Sequence, residues 1–137
     1  MNFREMTEQD VEYMKTHSVS RGILKHQPIQ TEFCFTLENR GNILGIGGFR
    51  LINQTTAWCW CDLTEWSHDH VIVTYRVIKE WIDIFVETHG LKRLQAYIEP
   101  DFPEAIRMIQ HLGFKKESTL ESFLPDGRNA FMYKRII

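Results

Sequence analysis

Three carboxylates in this sequence stand where acid–base chemistry would need them. Asp62 and Glu65 follow a tryptophan-rich run that begins at Trp58, and Glu99 closes a second run that begins at Leu94. A carboxyl group half-buried beside Trp58, Trp60 or Trp66 has its pKa raised by desolvation, which suits a general base taking a proton from an amine. The same residue types also cap or solvate strand ends, because carboxylates are mostly exposed. Cys59-Trp60-Cys61 and His68-Asp69-His70 add two thiols and two imidazoles a loop apart. Their spacings, Cys-x-Cys and His-x-His, fall short of those that close a tetrahedral zinc site, so no metal is expected and the cysteines read as small buried apolar residues. Gly45-Ile46-Gly47-Gly48 lacks the third glycine of a dinucleotide fingerprint and continues as strand instead of opening a helix.

The elements that must position these residues follow from periodicity and caps. Asn2 to Met6 reads as a strand, and Thr7-Glu8-Gln9-Asp10 as a helix start, with Thr7 as cap, acids at the positive end of the helix dipole and an end near His17. A second helix is expected between Ser18 and Gln30, closed by Pro28. Thr31 to Glu38, Ile43 to Ile52 and Ala57 to Leu63 make an antiparallel meander, with Asn39-Arg40-Gly41-Asn42 as its first turn. Gly47-Gly48 marks a bulge or a close backbone approach. Val71, Tyr75, Ile78, Ile82, Phe85 and His89 then step by four and three, widened by Val77 and Trp81, along a helix capped by Ser67 and stopped by Gly90. Leu94 to Glu99 alternates as a strand, and Pro100 ends it. Asp101 reads as the cap of the next turn and Pro103 as its first-turn proline; Ala105, Ile106, Met108, Ile109 and Leu112 form one face of a short helix, which Gly113 stops. A hairpin around Pro125-Asp126-Gly127-Arg128 closes the sequence.

Length and charge bound the function classes. At 137 residues the sequence reads as a single domain, 1–137, large enough to bury its own core. Lys plus Arg number 16 against 18 for Asp plus Glu, so no electrostatic footprint points to nucleic acid or an anionic membrane. The three cysteines cannot all pair with one another, and no window approaches a membrane span. With acids at Glu5, Glu8 and Asp10 and no apolar run behind them, a reduced, cytoplasmic protein is expected.

The order strand, helices, three-strand meander, long helix, strand, short helix and hairpin resembles the GNAT (Gcn5-related N-acetyltransferase) family. The likeness rests on Ile43 to Phe49, on Asp62 to Val71, and above all on Ala105 to Phe114 ending in Leu112-Gly113-Phe114. A tighter likeness is to a phage branch of that fold that includes the internal virion protein A of short-tailed phages. It is carried by Asp101 to Arg107, Leu112-Gly113-Phe114, Pro125 to Arg128 and Tyr133. The resemblance implies an α/β (α+β) fold with a mixed, mostly antiparallel sheet, a splayed parallel pair made by Ala57–Leu63 and Leu94–Glu99, and flanking helices. It further implies acetyl-CoA as cosubstrate, bound by Leu63, Thr64, Ser67, His68, Asp69, His70 and Val71, with the pyrophosphate at the start of the long helix. Asp62 and Glu99 are then the catalytic carboxylates, and the acceptor is an amine on a small molecule or protein. A branch that works by binding would instead engage a protein partner or a second copy of the chain, in the host cytoplasm or the virion.

Several positions depart from the family pattern. An Arg or Gln followed by a Gly-x-Gly or Gly-x-Ala loop lets backbone close around the phosphates. Here the junction reads Trp66-Ser67-His68-Asp69-His70-Val71, without glycine and with a carboxylate. The family's Asn and general-acid Tyr fall on Phe102 and Ile109, which cannot donate; Tyr97 and Tyr133 stand elsewhere. A chelator should change neither melting temperature nor oligomeric state, and stoichiometric zinc in protein purified without added metal would contradict the absence of a zinc site.

Overall fold

A carboxylate inside the protein fixes where the first helix begins. In the computed structural model, which describes residues 1–19 and 33–137, β1 (Asn2–Glu5) leads into α1 (Glu8–His17). Thr7 is the N-cap. Its hydroxyl accepts from the Asp10 amide while the Asp10 carboxylate accepts from the Thr7 amide, which satisfies two donors that a helix start otherwise leaves unpaired. The same carboxylate accepts both guanidinium arms of Arg4, at 2.7 and 2.9 Å, and the Thr36 hydroxyl at 2.9 Å. Asp10 is buried, and Arg4 above all, with Thr7 and Thr36, holds its pKa well below the usual carboxylate range.

The chain divides into two compact units, Met1–Arg50 with Cys59–Thr74 and Leu51–Trp58 with Tyr75–Ile137. In the first, β1 pairs antiparallel with β2 (Phe33–Asn39), and β2 with β3 (Asn42–Leu51) across a two-residue turn in which Arg40 and Gly41 both have positive φ. The end of β4 (Thr56–Leu63) lies beside β3. Gly45, Gly47 and Gly48 are required by close approach: a Cβ would lie 2.7 Å from the Asp62 carbonyl, 2.9 Å from that of Trp60 and 2.5 Å from that of Phe33. The β2/β3 register shifts between Leu37 and Glu38, so the bulge lies away from the paired glycines. Met14, Ile43, Ile46 and Trp60 form a buried cluster against which Met6, Tyr13 and Cys34 pack. The helix expected between Ser18 and Gln30 falls, beyond Val19, outside the described residues, as do Thr31 and Glu32 of the expected second strand.

The long helix begins differently from the sequence expectation. A 3₁₀ helix over Glu65–His70, with Thr64 as its N-cap residue, runs into α2 (Val71–His89). Ser67 is therefore inside the 3₁₀ turn and not its cap. Val71, Ile72 and Val73 are exposed, so the apolar stripe expected from Val71 becomes buried only further along, at Ile82, Phe85 and Val86; Trp81 is also exposed. Gly90, at φ +63°, ends α2 with the Leu91 amide on the Val86 carbonyl and the Gly90 amide on the Glu87 carbonyl, the double bond of a glycine-terminated helix.

In the second unit, the start of β4 pairs in parallel with β5 (Arg93–Ile98) through Thr56/Arg93, Ala57/Leu94 and Trp58/Gln95. On its other side β5 pairs antiparallel with β7 (Ala130–Ile136), which pairs with β6 (Lys115–Leu120). The strand order is β1-β2-β3-β4-β5-β7-β6, a mixed α/β fold with one parallel pair. α3 (Pro103–His111) has Pro103 in its first turn and Phe102 as a cap residue without a side-chain bond. Phe102 and not Asp101 occupies the N-cap position of α3, and the Asp101 carboxylate lies 3.5 Å from Arg128. Gly113, at φ +91°, repeats the Gly90 device, with the Phe114 amide on Ile109 and the Gly113 amide on Gln110. No helix among the described residues is long and apolar enough to cross a membrane.

Gly113→Val should cost more than ~1 kcal/mol through its left-handed backbone alone, since a Cβ there meets Arg135 at an ordinary 3.6 Å; an unchanged melting temperature would contradict it. For Asp10, the lowered folded pKa means stability present above the unfolded value near pH 4 and lost as pH falls below it. Asp10→Asn should cost about 1–3 kcal/mol at pH 7, discounted for the part-exposed Arg4, and should flatten the loss of stability between pH 5 and pH 2.

Candidate functional site

The junction from β4 into the 3₁₀ helix is built from the inside outward. Thr64 is fully buried, and its amide donates to the Leu44 carbonyl at 2.9 Å while its hydroxyl donates to the Ile43 carbonyl at 2.6 Å. The next turn closes on Thr64 itself: the Ser67 amide and the Ser67 hydroxyl both donate to the Thr64 carbonyl, at 3.1 and 2.8 Å. Thr64 and Ser67 are thus committed to holding the turn. Leu63 is half-buried, and its carbonyl accepts the Val19 amide at 2.8 Å. His68, Asp69, His70 and Val71 are exposed. Contiguous in sequence, the seven candidate cofactor residues divide into an inward group and an outward one.

Asp62 is buried at the end of β4, and the Ser18 hydroxyl donates to its Oδ1 at 2.7 Å. Beside it, burial first and the Asp62 charge second push the Cys61 thiol up to about 12, so the thiol stays protonated at neutral pH. Cys59 is buried as well, and among the described residues no group of three or more His, Cys, Asp or Glu side chains is placed to hold a metal ion.

Contacts that sequence reasoning missed come from the end of α1. The Trp66 indole N–H donates to the Tyr13 hydroxyl at 2.7 Å, the Tyr13 ring stacks on His17 with centroids 4.3 Å apart, and His17 Nδ1 lies 3.1 Å from Glu65 Oε1. Ser18 also bridges to Thr64. Tyr13 and His17 stand one helical turn apart and so share a face of α1, a signal present in the sequence, but spacing alone does not say what that face meets.

In the second unit, Glu99 follows β5 with a side chain only 12% exposed, and its Oε2 lies 3.4 Å from the Arg128 guanidinium. Arg128 also reaches Asp126 at 2.6 Å and Asp101 at 3.5 Å, so three carboxylates share one cation. Tyr97 is half-buried, edge-on to Trp58 and Phe123, and burial first, then Glu99, pushes its hydroxyl up to about 12. Phe102 and Ile109 stand at the start and on the buried face of α3, where neither can donate.

Comparison with solved structures gives the fold its name. Over 99% of this chain and 97% of its own, Ard1 from Thermoplasma volcanium superposes with a TM-score of 0.79 at 16% identity. A GNAT family acetyltransferase from Elizabethkingia anophelis, solved with acetyl-CoA bound, matches over the same shares at 0.77 and 11%. The chain has the GNAT acetyltransferase fold. The ribosomal-protein-S18-alanine N-acetyltransferase from Escherichia coli matches over 99% of this chain and 93% of its own, at 0.72 and 14%. No family model matches the sequence, and no curated protein matches it.

Acetyl-CoA, which one of these neighbours carries, fits the junction of this GNAT-fold chain in part. Helix-start N–H groups and the exposed His68 and His70 can face a diphosphate. The Thr64 and Ser67 hydroxyls are already bonded within the protein, and Glu65 and Asp69 present like charge.

Proposed function

We propose that this chain is an N-acetyltransferase that passes acetyl from acetyl-CoA to an amine on a small molecule or protein and holds its cosubstrate weakly. The observation that supports it is the architecture shared with the acetyltransferases along the whole chain. When bound, acetyl-CoA supplies an acetyl group activated as a thioester. Main-chain N–H groups at the start of the 3₁₀ turn, with His68 and His70, would hold its phosphates, and Leu63 and Val71 would border them. Glu99 would take the proton that the attacking amine must lose, with Arg128 orienting its carboxylate. Asp62, held by Ser18, would fix the end of β4 from the interior.

A second reading is favoured by the junction: a glycine-free turn with both buried hydroxyls committed suits a GNAT-fold protein that works by binding a protein partner or a second copy of itself. The likeness to the phage branch, carried by Asp101 to Arg107, Pro125 to Arg128 and Tyr133, would place such a protein in host cytoplasm or virion as a morphogenesis or host-interaction factor. The first reading places its activity in the cytoplasm.

Calorimetry with acetyl-CoA separates the two. The wild type should bind weakly, and Asp69→Gly, which removes a charge and a Cβ, should tighten binding about tenfold, the equivalent of ~1.4 kcal/mol. Tight wild-type binding unchanged by Asp69→Gly would mean that the pyrophosphate avoids this turn. Binding by neither protein, together with no release of CoA thiol in the presence of amines, would favour the second reading.

A further inference from the structure

We infer that the last turn of α1 is a strap that sets the order of the β4–3₁₀ junction, with Tyr13 and His17 as positioning residues for whatever that junction binds. Successive junction residues are reached from this one turn and the two residues after it. Asp62 receives the Ser18 hydroxyl, Leu63 the Val19 amide, Thr64 the Ser18 bridge, Glu65 faces His17, and Trp66 donates to Tyr13. These contacts divide by depth. The ones on Asp62, Leu63 and Thr64 join backbone or buried groups and belong to the fold. Those on Glu65 and Trp66 join side chains with solvent on one side: Trp66 is 36% exposed and the Glu65 side chain 57%.

Side-chain contacts at an exposed edge can open without unfolding what lies beneath, because local opening costs less where few apolar groups are buried. The stacked Tyr13 and His17 rings act as one body, since each is pinned by the other as well as by its partner on the turn. Closed, the strap keeps the first turn of the helical segment in one arrangement. Released, it frees Glu65 and Trp66 to turn away while Thr64 stays anchored to β3. As a regulator of cosubstrate binding this inference rests on the proposed acetyltransferase reading; as a statement about junction order it stands without it.

The test compares the wild type with Tyr13→Phe, Tyr13→Phe/His17→Ala and His17→Gln. Tyr13→Phe keeps the ring stack and removes the oxygen that Trp66 donates to, and His17→Gln keeps a donor able to reach Glu65. In protein without ligand, amide exchange over residues 65–71 should rise at least fivefold in the double variant and less in His17→Gln, while β2 and β3 amides keep their wild-type rates. The Trp66 indole N–H resonance should move in both Tyr13 variants. Acetyl-CoA affinity, read by calorimetry, should fall at least threefold in the double variant and be restored towards wild type in His17→Gln. Unchanged exchange over 65–71, or a rise spread evenly over the unit, would overturn the strap. Faster exchange with unchanged acetyl-CoA affinity would overturn its positioning role. A wild type that binds no acetyl-CoA would remove the acetyltransferase reading alone, with the exchange data still deciding the strap.

Discussion

Thr64 is the residue on which the candidate site depends. A threonine with no exposure, bonded through amide and hydroxyl to consecutive carbonyls of β3, fixes the point at which β4 stops being strand. Its own carbonyl then takes both Ser67 donors, which stabilises a helical start at this point. The tight 3₁₀ geometry follows from that double bond, as a three-residue repeat brings residue 67 back over residue 64. Everything outward of it, from the exposed imidazoles to the apolar start of α2, takes its direction from this buried anchor.

Local signals were legible in the sequence and tertiary ones were not. The Thr7 cap, the Gly90 and Gly113 stops and the Arg40-Gly41 turn each depend on bonds spanning a few residues, so residue type and spacing were enough. Ser67 and Asp101 have the same chemistry as good caps, yet Thr64 and Phe102 occupy the N-cap positions. Thr64 won its place through contacts with β3, twenty residues away in sequence, and Asp101 turned to Arg128 from the far end of the chain. The paired glycines read as a bulge or a close approach; the close approach is what the structure has there, and what approaches, the backbone of β2 and β4, was not legible.

The candidate site was legible as a stretch and not as a surface. Leu63 to Val71 could be marked as the strand-to-helix junction, but which members face inward depends on the 3₁₀ turn that replaced the expected α-helical start. Asp62 and Glu99 also differ in a way no spacing foretold. One is interior and meets a hydroxyl; the other keeps some solvent contact and meets a guanidinium, so the two carboxylates have distinct electrostatic surroundings.

Among the described residues, β1 and β6 form the two margins of the sheet. An edge strand offers a row of open main-chain groups to any other extended chain. β1 is only four residues long, which limits how much ladder an intruder could add. β6 is exposed on nearly its whole length, but it opens with Lys115 and Lys116 and slips register between Lys116 and Ser118, where its alignment with β7 breaks. A neighbour zipping onto that margin would have to bury ammonium groups and match a kink. Brevity at one margin and charge with irregularity at the other both weigh against strand addition there.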